Sequence, residues 1–225
     1  MLVARGVLAV FPLRTALPAT GAATAMSGAG LVFDADTHTY WMHGHQLPGV
    51  TDILKAQRIV SVEGIPPARL EMARQRGKAV HYAIRLIHEG SLDPATVAPA
   101  LDPFLFAYEQ FRESTGFMPD RFEEPLAHPL GFAGTPDAAG PVMGVPAVVD
   151  FKVVATLDLA YGVQLAAYRI LLGANLYEVR KRYLVQLKDD GTFHLEECRD
   201  PGDEAEFRSA LHLYQRRLKR NGGTP

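Results

Sequence analysis

Residues 131–168 read GFAGTPDAAGPVMGVPAVVDFKVVATLDLAYGVQLAAY, and this stretch decides the fold. Within it, PAVVDFKVV (146–154) is rich in β-branched residues, which predicts a strand. Because successive side chains of a strand point to opposite faces, Asp150 and Lys152 share one face and Phe151 lies on the other. The strand therefore has an apolar face for packing and a face that carries charge.

The segment before it predicts a neighbouring strand. GFAGTPDAAG (131–140) has the composition of a short strand, and GPVMG (140–144) supplies proline and glycine for a turn. A hairpin of these two strands brings Asp137 towards Asp150. Two carboxylates and the ammonium group of Lys152 are then expected on one surface of the sheet.

This grouping suits the hydrolysis of a phosphodiester. Two carboxylates hold a hard divalent cation such as Mg²⁺, which polarises a phosphoryl oxygen and lowers the pKa of a bound water. A lysine orients that water and offsets developing negative charge. The spacing of the three groups alone is weak evidence, because acids at the ends of strands are common.

The helix predicted after this strand is apolar almost all round. AYGVQLAAYRILLG (160–173) should therefore be buried. Its polar exceptions, Tyr161, Gln164 and Tyr168, lie at i, i+3 and i+7 and so form one stripe. We expect that stripe to face the acids and the lysine.

The motifs GTPD, VVDFK and YGVQLAAY resemble the PD-(D/E)XK nuclease superfamily, specifically its RecB-like branch of phage and mitochondrial exonucleases. The resemblance implies an α/β (α+β) fold with a restriction-endonuclease-like core, in which helices flank a central mixed β-sheet, and an N-terminal hairpin and helical part. It also implies that Asp137 and Asp150 are metal ligands and that Lys152 is the catalytic lysine. Gln164 and Tyr168 would be motif residues near the DNA.

Two further segments agree with the resemblance. RGKAVHYAI (76–84) resembles the family's G-x-x-x-H helix, which would place His81 near the metal as a ligand. RFEEPLAHPLGFAGTPD (121–137) resembles the strand that carries a further catalytic acid, matched best by Glu123. Arg76 and Lys78 are candidates for contacts with DNA phosphates, although a basic run on a helix is more often a solvated face.

The resemblance covers roughly residues 31 to 187 and departs from the family at two positions. Val153 follows the lysine where many relatives have Thr or Ser, and Gly49 replaces the Ser that usually precedes Val-Thr. Neither change removes a ligand. Activity is therefore still expected.

Length and composition set bounds on these expectations. With 225 residues and 48% hydrophobic residues, the chain can bury a good core, and we expect a single domain over residues 31–220. The net charge of −2 is not typical of a protein held to DNA by bulk electrostatics, so DNA contact must be local. No apolar run approaches the roughly 20 residues that span a bilayer, which favours a soluble, cytoplasmic protein without a membrane partner.

Cysteine content bears on the cofactor. Cys198 is the single cysteine, so no internal disulfide forms. RecB-like nucleases with an iron-sulfur cluster resemble this core but need about four cysteine ligands. We therefore expect Mg²⁺ or Mn²⁺ as the cofactor and no iron-sulfur cluster.

Residues 1–30 contain no Asp or Glu and show no useful periodicity. They predict a disordered tail, or a start of the protein at Met26. A mitochondrial leader fits the missing acids but has little Ser or Arg, so a mitochondrial location is less favoured.

The remaining patterns predict further elements. In chain order these are a hairpin from Leu31, a short helix capped by Thr51, a helix from Pro66 or Pro67 to Gly90 with a break or close contact at Gly77, a helix ending at Gly116, a strand from Arg121 to Ala127, a hairpin turning at Asp189, Asp190 and Gly191, and a helix over 203–219.

Two functions from different classes remain open on the sequence. The first is a metal-dependent deoxyribonuclease, an exonuclease on single-stranded or double-stranded DNA ends in recombination, repair or genome maintenance, with a recombination or repair protein as partner. The alternative is a non-catalytic DNA-end-binding module or nuclease-fold subunit of a larger complex. A hydrolase of small phosphoesters lacks a recognisable pocket signature.

Overall fold

The computed structural model describes residues 24–27, 30–60 and 66–222, with only the backbone of 24–27. The strands are β1 Thr24–Ser27, β2 Leu31–Asp34, β3 Thr39–Met42, β4 His45–Leu47, β5 Arg121–Phe122, β6 Leu126–His128, β7 Phe132–Gly134, β8 Ala138–Val142, β9 Val145–Lys152, β10 Lys181–Leu187 and β11 Phe193–Glu197. The helices are α1 Val50–Ala56, α2 Pro67–His88, α3 Asp102–Thr115, α4 Ala160–Ala174 and α5 Gly202–Arg220.

A five-stranded sheet in the order β11-β10-β9-β8-β5 forms the centre of the protein. β9 and β10 are parallel and the other neighbours are antiparallel, so the sheet is mixed. One face packs against α2 and α3, and the other packs against α1, α4 and α5. The predicted α/β class, a mixed sheet flanked by helices, is confirmed.

β9 contributes side chains to both cores, as its alternation predicts. Val149 and Phe151 pack in the core under α3, whereas Val148 packs in the core under α4. Asp150 lies on the α4 face and is only 1% exposed. The charged face of the strand is therefore buried beneath a helix rather than open to solvent.

The predicted β8–β9 hairpin is confirmed, with one change to its first strand. Ala138 pairs with Val149, and the chain turns at Met143 and Gly144, both with positive φ as a tight hairpin turn requires. Residues 131–140 do not form one strand. Phe132–Gly134 pairs instead with β6 in a separate two-stranded sheet, and Pro136, which has no backbone N–H, follows the break.

The predicted strand from Arg121 to Ala127 is wrong, because the chain bends inside it. Glu123 has a φ of +43° and its N–H donates to the carbonyl oxygen of Asp137 at 2.9 Å. The bend leaves β5 on the central sheet and sends β6 to β7. Beside this bend, Glu123 lies near Arg85, whereas Glu124 pairs with Arg121.

The N-terminal part contains more strands than the predicted hairpin. β1 to β4 form an antiparallel sheet, and β1 lies within the stretch expected to be a tail. Residues 1–23 and 28–29 lie outside the described residues, so the expectation for the tail stays a prediction. The single-domain assignment over 31–220 is likewise still a prediction.

The predicted cap of α1 is wrong. The helix is capped by Gly49, whose N–H donates to the carboxylate of Asp52 at 3.1 Å, and Thr51 lies inside the helix. The later predictions hold: α3 ends at Gly116 with a φ of +64°, β10 and β11 form the expected hairpin, and a final helix follows. None of the helices in the described ranges is long and apolar enough to cross a membrane.

Gly77 neither breaks α2 nor meets another backbone, so that prediction is also wrong. The helix is continuous, and a Cβ built at Gly77 has no neighbour within 4 Å. Gly77→Ala is therefore expected to stabilise the protein by about 1 kcal/mol, through helix propensity alone. Urea denaturation measures this change.

Gly144→Ala is the matched control. This glycine also has no neighbour within 4 Å, but its φ is +77°. Residues with a Cβ rarely adopt this backbone conformation, even where there is room for the side chain. The substitution is therefore expected to destabilise the protein. Equal effects of the two substitutions would contradict the conformational argument.

Candidate functional site

The β8–β9 register brings the two aspartates together. Asp137 directly precedes Ala138, the partner of Val149, and so lies beside Asp150. The N–H of Phe151 donates to Asp137 Oδ2 at 2.8 Å, which ties the first acid to the second strand. The predicted meeting of the two carboxylates is confirmed.

Asp150 and Lys152 form a buried ion pair. Lys152 Nζ lies 2.6 Å from Asp150 Oδ2. Burial raises the pKa of Asp150 to about 6 against the opposing effect of the lysine, and the nearby charge of Asp137 adds to the rise. Burial disfavours the charge of Lys152, but the two carboxylates outweigh it and raise the pKa of this lysine. Lys152 therefore stays a cation.

The polar stripe of α4 faces Lys152, as predicted. Lys152 Nζ donates to Gln164 Oε1 at 3.2 Å and lies 4.5 Å from the centre of the Tyr161 ring. Gln164 Nε2 in turn donates to the hydroxyl of Tyr168 at 2.9 Å. Gln164 and Tyr168 are buried behind the lysine and hold it in place, and their predicted contact with DNA stays a prediction.

His81 contacts the site from α2. Its Nδ1 lies 3.6 Å from Asp137 Oδ1, and its Nε2 lies 3.0 Å from the carbonyl oxygen of Phe151. The imidazole thus contacts both arms of the hairpin, at Asp137 just before β8 and at Phe151 in β9. Its role as a metal ligand stays a prediction.

The structure separates the two glutamates that the sequence left side by side. Glu123 lies near Asp137 and 3.6 Å from Arg85, and burial together with the charge of Asp137 raises the pKa of Glu123. Glu124 forms an ion pair of 2.6 Å with Arg121. Glu123 is therefore the glutamate that belongs to the candidate site.

The two basic candidates on α2 lie in different places. Lys78 lines an open groove of about 830 Å³ beside Asp137 and Glu123. Arg76 lies over the ring of Phe104, 5.6 Å from its centre, outside the groove lining. Of the two predicted phosphate contacts, the groove therefore contains Lys78.

The groove also contains residues that sequence reasoning missed or set aside. Its walls include Phe33, His38, Tyr82, Arg85 and Thr135. His38 belongs to this wall because the β2–β3 turn lies over the GTPD segment. The hydroxyl of Tyr40 lies 3.0 Å from Thr135 Oγ1 and fastens that turn to the segment.

Gln186 is a further residue that the sequence did not mark. It pairs with Lys152 across the parallel strands β9 and β10, and its Nε2 donates to the carbonyl oxygens of Val154 at 2.8 Å and Ala155 at 3.1 Å. A glutamine within an otherwise buried strand was the available signal. Gln186 fixes the path of the chain immediately after the lysine.

Gln186→Leu tests this positioning role. Losing both hydrogen bonds frees the backbone after Lys152, so we expect a turnover rate reduced by about tenfold with little change in substrate affinity. Gln186→Glu, which keeps the shape but replaces the donor with an acceptor, should be impaired as well. A normal rate in both variants would contradict the positioning role.

The donor atoms of this cluster fit a hard divalent cation. Asp150 Oδ2 is fully buried and faces the ammonium group of Lys152 at 2.6 Å. Mg²⁺ takes one or two carboxylates and completes its shell with waters and substrate oxygens, which matches Asp137 and Asp150. Among residues 24–27, 30–60 and 66–222, no group of three or more His, Cys, Asp or Glu side chains could hold a metal ion alone.

The fold and the cluster define an α/β protein in which two acids and a lysine meet at a sheet hairpin, with Asp150 buried. No protein-family model matches the chain, and no curated protein matches it. Among solved structures, it is similar to a putative exonuclease from Eubacterium rectale, with a TM-score of 0.49 and 16% identity over 77% of this chain and 74% of that one. An alkaline exonuclease from Laribacter hongkongensis gives a TM-score of 0.45 and 13% identity over 77% and 88%.

Proposed function

We propose that this protein is a metal-dependent deoxyribonuclease of the PD-(D/E)XK type that acts as an exonuclease. One observation carries the proposal: Asp137, Asp150 and Lys152 converge at one buried place, where Lys152 Nζ lies 2.6 Å from Asp150 Oδ2. Burying charged groups costs stability, and Asp137 of this cluster lines an open groove.

The two aspartates would hold Mg²⁺ or Mn²⁺. When bound, such a cation polarises the scissile phosphate and lowers the pKa of water. Asp137 is held in position for this role by the Phe151 N–H and by His81. Asp150 would supply a second carboxylate, which is buried and paired with Lys152 at 2.6 Å.

Lys152 would offset the negative charge that develops on the phosphate. Its ammonium group is fixed by Gln164 and by the Tyr161 ring, so it needs no rearrangement during the reaction. Preorganised charge in a buried site contributes more to catalysis than the same charge in water. The carboxylates of Asp150 and Asp137 raise the pKa of Lys152, which favours its charged form.

DNA would approach along the groove between α2 and the β2–β3 turn. Lys78 provides a cation there, and the Tyr82 side chain, which is 47% exposed, offers a ring for base stacking. We further propose a role in recombination, repair or genome maintenance, together with a protein partner from such a process.

The direct test uses end-labelled linear and closed-circular DNA, single-stranded and double-stranded, with Mg²⁺, Mn²⁺ or EDTA. Loss of linear DNA in the presence of metal, with circles spared, is the expected result for an exonuclease. Asp150→Ala should remove this activity. DNA binding that is indifferent to chelation, with no product from any substrate, would instead support the non-catalytic DNA-end-binding module.

Metal binding can be measured without DNA. Mn²⁺ is expected to raise the melting temperature, because it binds the clustered acids of the folded state. When its concentration is 100 times its Kd, the free energy of unfolding rises by about 2.7 kcal/mol. Asp137→Ala should abolish the rise. The matched control Asp120→Ala removes an aspartate that bonds Tyr177 away from the cluster and should preserve it. An equal rise in all three proteins would contradict metal binding by Asp137.

A further inference from the structure

A second cavity, of about 560 Å³, lies beside β10, β11, α4 and α5 and is rich in cations. Three of its lining residues are acidic, and twice as many are basic. The basic ones are Arg169, Arg180, Lys181, Arg182, Arg199 and Arg208. The proposed nuclease site uses none of these six residues.

This cavity is separate from the cluster of acids. Lys181 pairs with Ala147 on β9, whereas Gln186, five residues later on β10, pairs with Lys152. Five residues of strand span about 17 Å. Asp150 pairs with Leu184, three residues along β10 from Lys181, or about 10 Å, so along the strand Lys181 lies about 10 Å from the level of Asp150 and about 17 Å from that of Lys152.

The carboxylates in the cavity do not saturate the cations. Each of two glutamates is shared by two basic side chains: Glu204 by Arg169 and Arg208, and Glu197 by Lys181 and Arg199. A guanidinium group has five N–H donors, but Arg169 and Arg199 each use one in these pairs. Donors remain at the cavity for an anion.

The base of the cavity is rigid. Arg182 is buried and donates to Asp203 at 2.7 Å, to the carbonyl oxygen of Gly162 at 2.9 Å and to that of Asp200 at 2.8 Å. Gly162 allows this contact, because a Cβ there would lie 2.8 Å from the Asp203 carboxylate. The start of α5 is thereby fixed against α4.

The apolar part of the lining is small. It consists of Ala166, Cys198, Pro201 and Ala205, and no aromatic ring is among the lining residues. Such a surface offers no platform for stacking a base. Guanidinium groups, by contrast, match the geometry and charge of phosphate.

We propose that this cavity is a second binding site, specific for phosphate groups and indifferent to the base. The phosphate comes either from a free nucleotide or from the backbone of a DNA strand. In both cases Arg180 and Arg199 would reach the ligand from the rim. Their side chains are 65% and 76% exposed, and each forms an ion pair with one glutamate, Arg180 with Glu178 and Arg199 with Glu197. The proposal does not depend on nuclease activity.

The test compares wild type with Arg180→Gln/Arg199→Gln in EDTA, so that no cleavage takes place. Binding of inorganic pyrophosphate is measured by calorimetry, and binding of a short dye-labelled oligodeoxynucleotide by anisotropy. We expect affinity about tenfold weaker in the variant for at least one ligand. The control, Arg216→Gln/Arg220→Gln, removes the same charge from exposed positions further along α5 and should bind as wild type does.

The two ligands distinguish the sources. If the variant binds only pyrophosphate more weakly, the ligand is a free nucleotide. If it binds only DNA more weakly, the ligand is the strand backbone. Weaker binding of both indicates a site that accepts either. Unchanged binding, or equal losses in the variant and the control, would overturn the proposal. If the double variant melts at a lower temperature, Arg199→Gln alone gives the same comparison, because its side chain is the most exposed of the cations that take part in these pairs.

Discussion

Asp150→Asn is expected to reduce DNA hydrolysis by about 10³-fold at saturating Mn²⁺, because it replaces the charged carboxylate beside Lys152 with a neutral amide. Initial rates on end-labelled linear DNA measure this loss. Binding of the same DNA in EDTA should change little. An Asp150→Asn protein with a rate near that of wild type would contradict the proposed function.

The same ion pair gives a stability prediction that separates folding from catalysis. Asp150→Asn and Lys152→Met each leave one buried partner without its counter-charge, which destabilises a protein by about 3 to 5 kcal/mol. The double variant removes both charges, so it should lose less stability than the sum of the singles. It should nevertheless remain inactive.

Urea denaturation of the three variants completes this thermodynamic cycle. The exposed pair of Glu178 and Arg180 serves as the control, and Glu178→Gln should leave the free energy of unfolding unchanged because solvent screens that pair. Additive losses at Asp150 and Lys152 would show that the two charges do not stabilise each other.

Gly140→Ala is expected to destabilise the protein by about 3 kcal/mol. A Cβ at this position would overlap the carbonyl oxygen of Met118 and lie 2.8 Å from the Cα of Pro119. These are backbone atoms, so no change of rotamer can relieve the overlap. Because Gly140 lies in β8, three residues after Asp137, the substitution should also reduce activity.

Thermal denaturation measures this effect, and the expected fall in melting temperature is about 6 to 12 °C. Gly173→Ala is the control, because a Cβ added to that helical glycine would have no neighbour within 4 Å. The control should gain stability from helix propensity. A tolerated Gly140→Ala would mean that the segment 117–119 can move away from the sheet.

The core of the site could be predicted because its determinants are local. The alternation in β9 placed Asp150 and Lys152 on one face, and the proline and glycines of residues 140–144 predicted the hairpin that brings Asp137 to them. The spacing in α4 predicted that Gln164 and Tyr168 share a stripe. Each of these inferences depends on residues close together in the sequence.

Other parts of the site depend on contacts between distant segments. The bend at Glu123 is fixed by a bond to the carbonyl oxygen of Asp137, fourteen residues away in the sequence, and Gln186 reaches Val154 from a neighbouring strand. Arg76 and Lys78 are two residues apart on one helix, but only Lys78 lines the groove, because Arg76 packs on Phe104 of another helix.

The sequence by itself thus determined which residues are acidic, basic and apolar on the faces of β9, and hence the cluster of two acids and a lysine. The class of fold was predicted from the resemblance of its motifs to a known nuclease superfamily. Only the tertiary structure decided that this charged face is buried under α4, that Glu123 joins it, and that six cations surround a second cavity. The alternation of apolar and polar residues is a property of neighbouring residues in the sequence. Burial and the clustering of charges arise from packing between segments that are distant in the sequence.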